Sequence, residues 1–406
     1  VSGLAVTSRT ERYTRASLHI HVRELHRPRI AWLNAGWLAV GGALMLSVLG
    51  ITAIATTAPG LAARQIAFLC VSLLGAAAAA TPHYKVLRRF SMPFMLVVLA
   101  LLVFVLIPQV PETIVRPRNG ARRWINLHLM DFQPSELAKI AYILALASYL
   151  RYRKNYRRFL GLLLPLAFTF IPLGLILIEP DLGTAMLFLP TLFAMLIAAG
   201  AKLRHLVVII ALGLSAAPLT YPMLEPHQKD RINALYYQLR GDDRYVQGIG
   251  LQGDRAMMLI GAGGVTGVGP LRAHDLVIHN KLPEEHNDMV FAVICCRWGL
   301  IGGVGLWGMF GLCALGGIAT AAQCRDPFGR LVAVGIVAVL FAQMAINTGM
   351  TLGLLPITGM TLPFVSYGGS SLVSTWLMIG LLLNIGLRRP QFMMREAFEF
   401  EQDEDA

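Results

Sequence analysis

Five short polar stretches interrupt an otherwise apolar chain, and their residue types suit holding an anion and moving a proton. The first, Arg116-Pro-Arg-Asn-Gly-Ala-Arg-Arg-Trp-Ile125, gathers four arginines, Arg122 and Arg123 among them, beside Trp124. Arginine forks match phosphate bidentately, so this stretch reads as an anion site. It reads equally as a surface loop touching membrane lipid headgroups, with Trp124 as an interfacial anchor. The second, Gln133-Pro-Ser-Glu-Leu-Ala-Lys139, sets Glu136 and Lys139 three residues apart on one helical face. Either the two neutralise each other, or Lys139 meets a substrate anion while Glu136 holds it in place.

Glu179-Pro-Asp-Leu-Gly-Thr184 is the third, with Asp181 placed to cap a helix. The fourth, Leu282-Pro-Glu-Glu-His-Asn-Asp-Met-Val-Phe291, brings Glu284, Glu285, His286 and Asp288 together. An acid such as Asp288 beside an anion site could act as a general base. His274, His279 and His286 with these acids match no standard metal-ligand spacing. The fifth runs from Asn347 to Ser371 and includes Ser366 and Ser370; its prolines and glycines predict an irregular or re-entrant segment that must be buried in protein or line water. A sixth, glycine-dense run, Gly261 to Gly269, lacks the Gly-Lys-Ser/Thr ending of a nucleotide loop and reads as a flexible or close-packed turn.

The elements that must position these groups follow from composition. Of 406 residues 56% are apolar and 14% charged, with a net charge of +12 and mean hydropathy +0.60. An ordinary soluble domain carries roughly 25% charge and is excluded, as is a disordered chain, which would be poor in apolar residues. Spanning helices need about 20 apolar residues. Ten such stretches are readable: 31–57, 62–80, 90–108, 134–150, 159–178, 182–200, 206–224, 289–322, 328–352 and 366–387. The expectation is an all-α polytopic membrane protein of about ten transmembrane helices, with a long outer loop (225–288) between the seventh and eighth. The 34-residue eighth stretch must tilt or protrude.

Lys and Arg collect on the side of the N-terminus, at Arg9 to Arg29, Lys85 to Arg89 and Arg151 to Arg158, which places both termini in the cytoplasm. The first apolar run is too long for a cleavable signal and lacks a small-residue cleavage site, so it reads as an uncleaved anchor. Residues 1–30 form a basic segment and 388–406 an acidic tail, both read as solvated flanks flanking a membrane domain at 31–387. Cys70, Cys295, Cys296, Cys313 and Cys324 have no paired loop spacing, so no structural disulfide is expected. No internal repeat is evident. With this orientation the fourth, sixth, eighth and tenth spans point their positive N-termini outward, where four of the five polar stretches and the closing irregular segment also fall, so a diphosphate or similar polyanion is expected at the outer face.

In their order and spacing over about 250 residues, the stretches 119–125, 134–139, 179–184, 282–288 and 362–371 resemble the SEDS family (shape, elongation, division and sporulation; RodA- and FtsW-like). The resemblance implies a peptidoglycan glycosyltransferase of the bacterial cytoplasmic membrane that polymerises lipid II at the outer face, working with a class B penicillin-binding protein. It implies that Asp288 is the family's essential acidic residue, the catalytic one, taking the proton from the acceptor hydroxyl. Arg122, Arg123, Trp124, Glu136, Lys139, Glu284, His286, Ser366 and Ser370 are the expected substrate-binding residues. No cofactor is identified; a divalent cation could share the anion-holding role, although no ligand set is readable. No nucleic-acid partner is expected.

The chain departs from the family pattern after Asp288: an acidic pair is replaced by Cys295-Cys296-Arg297 ahead of Trp298 and Gly299, and Gln252-Gly-Asp-Arg-Ala256 differs from the usual Gln-Ser form. Leu354 to Gly359 leans toward the elongation branch, while Met360 to Pro363 reads more like the division branch. A lipid II transporter and a non-catalytic scaffold for the penicillin-binding protein are the competing readings. The transporter would spread its polar groups over both faces and the midplane, whereas here they gather at one face.

Overall fold

The computed structural model describes residues 33–118, 121–127, 131–152, 159–223, 226–240 and 250–388. The basic N-terminal segment, the acidic tail beyond Arg388, Arg153 to Arg158 and Asn119-Gly120 lie outside the described residues.

Helices dominate, because an apolar chain in lipid must satisfy its backbone internally. Three long helices come first: α1 (Gly36–Thr57), α2 (Pro59–Ala80) and α3 (Tyr84–Leu106). A three-stranded antiparallel sheet follows, β1 (Val115–Arg118), β2 (Ala121–Asn126) and β3 (Asp131–Phe132), in the order β1-β2-β3. Next come α4 (Pro134–Leu150), α5 (Leu163–Ile178), α6 (Leu182–Met186), α7 (Phe188–Ala199) and α8 (Leu203–Thr220). Three further helices, α9 (Pro226–Leu239), α10 (Leu251–Gly263) and α11 (Pro270–Asn280), precede α12 (Val290–Gln323), α13 (Pro327–Thr351) and α14 (Gly369–Leu387).

Among the described residues eight helical segments are long and apolar enough to cross a membrane: α1, α2, α3, residues 159–178, residues 182–199, α12, α13 and α14. Helices α4 and α8 occupy the remaining two expected stretches, with 17 and 18 residues. Most of α4 is buried, packed by α3, α5, α7, α13 and α14, which is how a helix carrying Glu136 and Lys139 is accommodated. By contrast α2 and α3 expose much of their length, as lipid-facing helices do.

Two features differ from the sequence expectation. The arginine stretch is a β-hairpin with a register irregularity at Arg116/Pro117, where proline offers no donor to the ladder. The segment 225–288 is largely helical rather than an open loop: its described part contains α9, α10 and α11.

The 34-residue α12, about 51 Å long at 1.5 Å per residue, is interrupted at Gly299, whose φ is 66°. The glycine-dense run is wedged into this break. Leu300 N donates to the Gly264 carbonyl at 2.9 Å and Ile301 N to Val265 at 3.2 Å. In return Val268 N donates to the Cys296 carbonyl at 3.0 Å and Gly269 N to Arg297 at 3.2 Å. A Cβ on Gly267 or Gly299 would overlap the facing backbone, so the run is a close-packed turn. Arg297 crosses to the end of α1, donating to the Thr52 carbonyl and to Thr56 Oγ1, each at 2.7 Å, with its guanidinium over the Trp298 ring. His274 donates to the Thr56 carbonyl at 2.7 Å. Arg297 therefore meets the carbonyl-rich end of a helix.

Candidate active site

The site forms at the bundle end that carries the sheet. Asp288 sits two residues before α12, in a turn where Met289 N donates to the Glu284 carbonyl. Asn347, near the end of α13 and fully buried, donates through Nδ2 to the Asp288 carbonyl at 2.9 Å and to the Met360 carbonyl at 2.6 Å. The Asp288 carboxyl lies against Gly359, whose φ of 72° suits glycine. Burial pushes the Asp288 carboxyl up to about 7, reinforced by the like charge of Glu284 and opposed by Arg231 and Arg123.

Asp181 organises the neighbouring corner. Its Oδ1 caps α6 by accepting from Thr184 N at 3.1 Å; Gln133 Nε2 and Ser135 Oγ donate to Oδ2 at 2.8 and 3.2 Å. Arg123, on β2, approaches Asp181 at 4.0 Å. Arg231, on α9, is half-buried and shares this field: burial lowers its pKa, as does Arg123, while Asp288 and Asp181 raise it. Two guanidinium groups and two carboxylates from four separate parts of the chain thus converge.

The other expected substrate-binding residues fall into two groups. Glu284 is exposed and accepts a hydrogen bond from Asn287 Nδ2; His286 stacks edge-on against Tyr367 at 5.9 Å and its buried Nδ1 has no hydrogen-bond partner. Trp124 is half-buried opposite Arg116 across the hairpin. Glu284 and His286 stand beside Asp288 in the chain, whereas Trp124, next to Arg123 on β2, points to the opposite face of the hairpin.

Arg122 and Lys139 are engaged elsewhere in the fold, and Ser366 and Ser370 are bonded to backbone beside the site. Arg122 donates to the Pro108 carbonyl at 2.9 Å and to that of Val110. Lys139, 2% exposed, donates to Glu136 at 3.0 Å and to Gln343 Oε1 at 3.1 Å, while Ser374 donates to the second Glu136 oxygen. Of the two arrangements open to Glu136 and Lys139, the structure shows the self-neutralised pair. Ser366 Oγ donates to the Asn287 carbonyl at 2.6 Å and accepts from Leu362 N at 2.7 Å; Ser370 Oγ accepts from Gln133 N at 3.1 Å. The serines tie the irregular segment before α14 to the Asp288 turn and to the start of α4.

Sequence reading missed Arg231, Asn347 as a clamp, and the partners Gln343 and Ser374. Among the described residues no group of three or more His, Cys, Asp or Glu is arranged to hold a metal ion, and all five cysteines are free.

A bundle of membrane-length helices with an aspartate and arginines at one end defines a class that comparison makes specific. The family model described as cell cycle protein, of the FtsW, RodA and SpoVE type, matches residues 29–390. Stage V sporulation protein E of Bacillus subtilis is 34% identical over 328 residues, covering 80% of this chain and 86% of that protein. The probable peptidoglycan glycosyltransferase FtsW of Coxiella burnetii is 34% identical over 373 residues, covering 88% and 97%. Among solved structures, a chain from work on the structural coordination of polymerization and crosslinking by a peptidoglycan synthase complex matches with a TM-score of 0.75 and 33% identity, covering 88% of this chain and 98% of that one. The rod shape determining protein RodA of Thermus thermophilus matches with a TM-score of 0.65 and 31% identity, covering 89% and 99%. The chain belongs to the FtsW/RodA/SpoVE, or SEDS, family of multi-pass membrane proteins, as its motifs led one to expect.

Proposed function

We propose that this chain is a peptidoglycan glycosyltransferase that polymerises lipid II into glycan strands, serving cell elongation or division. Its relatives carry that activity in their names. The observation that carries the reading is Asp288: a carboxyl held near neutrality, fixed by Asn347, with Arg123 and Arg231 across from it. A base with a pKa near the working pH combines availability with proton affinity.

In the proposed step Asp288 takes the proton from the 4-hydroxyl of the acceptor GlcNAc. The new bond forms between that oxygen and C1 of the donor MurNAc. The bond from C1 to the phosphate oxygen breaks, and undecaprenyl diphosphate leaves with the electron pair, so one displacement inverts the anomeric centre. Arg123 and Arg231 steady the charge gathering on the leaving group. Arg122, through its two terminal nitrogens, and Lys139 support this from behind by fixing the hairpin and α4. His286 and Glu284, in the Asp288 turn, border the space the sugars would occupy. Among the described residues no three-ligand set for a divalent cation is found, and the step above is carried by side chains.

Lipid II and a class B penicillin-binding protein are the proposed partners, the latter in keeping with the synthase complex among the similar structures. The site end of the bundle would face outward from the bacterial cytoplasmic membrane with both termini inside, as the Lys and Arg distribution suggests. Purified chain, with and without that partner, supplied with labelled lipid II, tests the reading: wild type should make polymer and Asp288→Ala should lose it by about 10²–10⁴-fold, the usual worth of a general base. Equal product from both would remove Asp288 from the mechanism. Lipid II crossing vesicles without polymer from either would favour the transporter.

A further inference from the structure

Glu179 is a titratable group that the mechanism above does not use. It closes α5 and is 1% exposed, yet both of its carboxyl oxygens lack a hydrogen-bond partner. The nearby donors go to Asp181 instead: Gln133, Ser135 and the Thr184 amide all do. A buried, unpartnered carboxylate is costly, and a neutral carboxylic acid much less so. The Arg123 side chain is partly exposed, holds Asp181 only at 4.0 Å, and has a buried Nε without a partner. Glu179 and Arg123 are thus an acid and a cation within each other's field that have not formed a bonded pair.

We infer that Glu179 is a protonation gate on the anion site: as the neutral acid it leaves Arg123 to the diphosphate, and as the carboxylate it takes Arg123 for itself. This rests on the proposed reading of Arg123 as a ligand of the lipid II diphosphate. Burial, then Asp181, pushes the Glu179 carboxyl up to about 8, with Arg123 pulling it back. The groups facing it are few. Asp181 comes from the turn before α6 and Arg123 from β2. From α4 come Glu136 and Lys139, closed on each other. Helices α6 and α7 carry no charged residue, and the cations of α3, Lys85, Arg88 and Arg89, lie at its opposite end. With Glu179 protonated, Arg123 and Arg231 balance Asp181 and an ionised Asp288, and outweigh Asp181 by one charge where Asp288 is neutral or replaced by asparagine. Ionising Glu179 makes the site one charge less favourable to an anion in either case.

The test is lipid II binding to the full chain in nanodiscs between pH 6.5 and 9.5, in an Asp288→Asn background that stops turnover and removes that titration. A diphosphate diester does not itself titrate there. Affinity in this parent should hold to about pH 8 and then weaken, approaching tenfold per pH unit, as expected when binding requires one proton. Adding Glu179→Gln should give a flat profile, and Glu179→Met, which likewise cannot ionise, should match it; melting curves at pH 6.5 verify that both are folded. Coincident profiles for parent and Glu179→Gln would overturn the gate while leaving the anion site standing. Unchanged lipid II binding in Arg123→Ala would overturn the anion-site reading itself, and the gate with it.

Discussion

Asn347 holds Asp288 by its backbone, not its carboxyl: Nδ2 donates 2.9 Å to the Asp288 carbonyl and 2.6 Å to that of Met360. The same amide thereby fixes the turn bearing the proposed base and the segment bearing Gly359, against which that base rests. Asn347→Ala should fold, since a small cavity and two lost hydrogen bonds cost about 1–3 kcal/mol, but should lower kcat by more than it changes KM. Steady-state polymerisation of labelled lipid II measures both, and an unchanged kcat would show that the clamp does not position Asp288.

Asp288 must be ionised to accept a proton, so kcat/KM should rise with pH through about 7. Glu284 holds its carboxyl up by like charge. Glu284→Gln should therefore move the rising limb to lower pH while leaving it above the ordinary aspartate range, because burial is the larger cause. A limb that stays in place would assign the rise to another group.

Glu179 also links pH to stability. Its folded pKa, about 8, lies above the ordinary 4.5, so the native state binds the extra proton. The resulting stabilisation is complete below about pH 4.5 and is lost as pH rises through 8. Glu179→Gln should accordingly melt at a higher temperature than wild type at pH 9, with the difference shrinking toward pH 6. A gap that is constant with pH would mean that Glu179 does not titrate in the fold.

Removing the cation from the pair inside α4 should be severe. Lys139→Met leaves Glu136 buried and uncompensated, for which about 3–5 kcal/mol is typical. Glu136→Gln with Lys139→Met should regain most of it, since no charge then remains to be solvated. Thermal melts in detergent compare the three; equal stability of the single and double variants would show that the pair does not balance charge.

Much of this arrangement is legible in the sequence, for a physical reason: in an apolar chain, each polar cluster must be buried in protein or wet, so Asp288, Arg123 and Asp181 announce themselves. What escapes is whatever depends on who sits opposite. Arg231 stands in a run with Lys229 and Asp230 that reads as an ordinary solvated surface. Gln343 and Ser374 look like isolated polar residues in apolar helices, and only packing shows that they complete the Glu136–Lys139 network. The hairpin at 115–126 is hidden because its strands are short, proline-interrupted and arginine-rich, with no apolar alternation. Conversely, two motif serines that suggest substrate contact are bound to backbone instead.

The wedge at Gly299 should tolerate no side chain. Gly299→Ala combines a left-handed φ with backbone overlap, so a loss of about 1–3 kcal/mol or more is expected. Gly305→Ala, on the same helix with no atom near its would-be Cβ, should be neutral or gain up to about 1 kcal/mol. Melting of the two side by side separates local conflict from a general intolerance of alanine in α12.

That wedge also couples distant parts of the molecule mechanically. Because α12 completes its interrupted hydrogen bonding through Gly264, Val265, Val268 and Gly269, the α10–α11 hairpin and the first turns of α12 are a single lever. Asp288 lies two residues before α12, while Leu271, 83% exposed, lies in α11. The helix that starts beside the proposed base therefore has its backbone completed by a segment forty residues or less upstream in the chain, not by its own next turn.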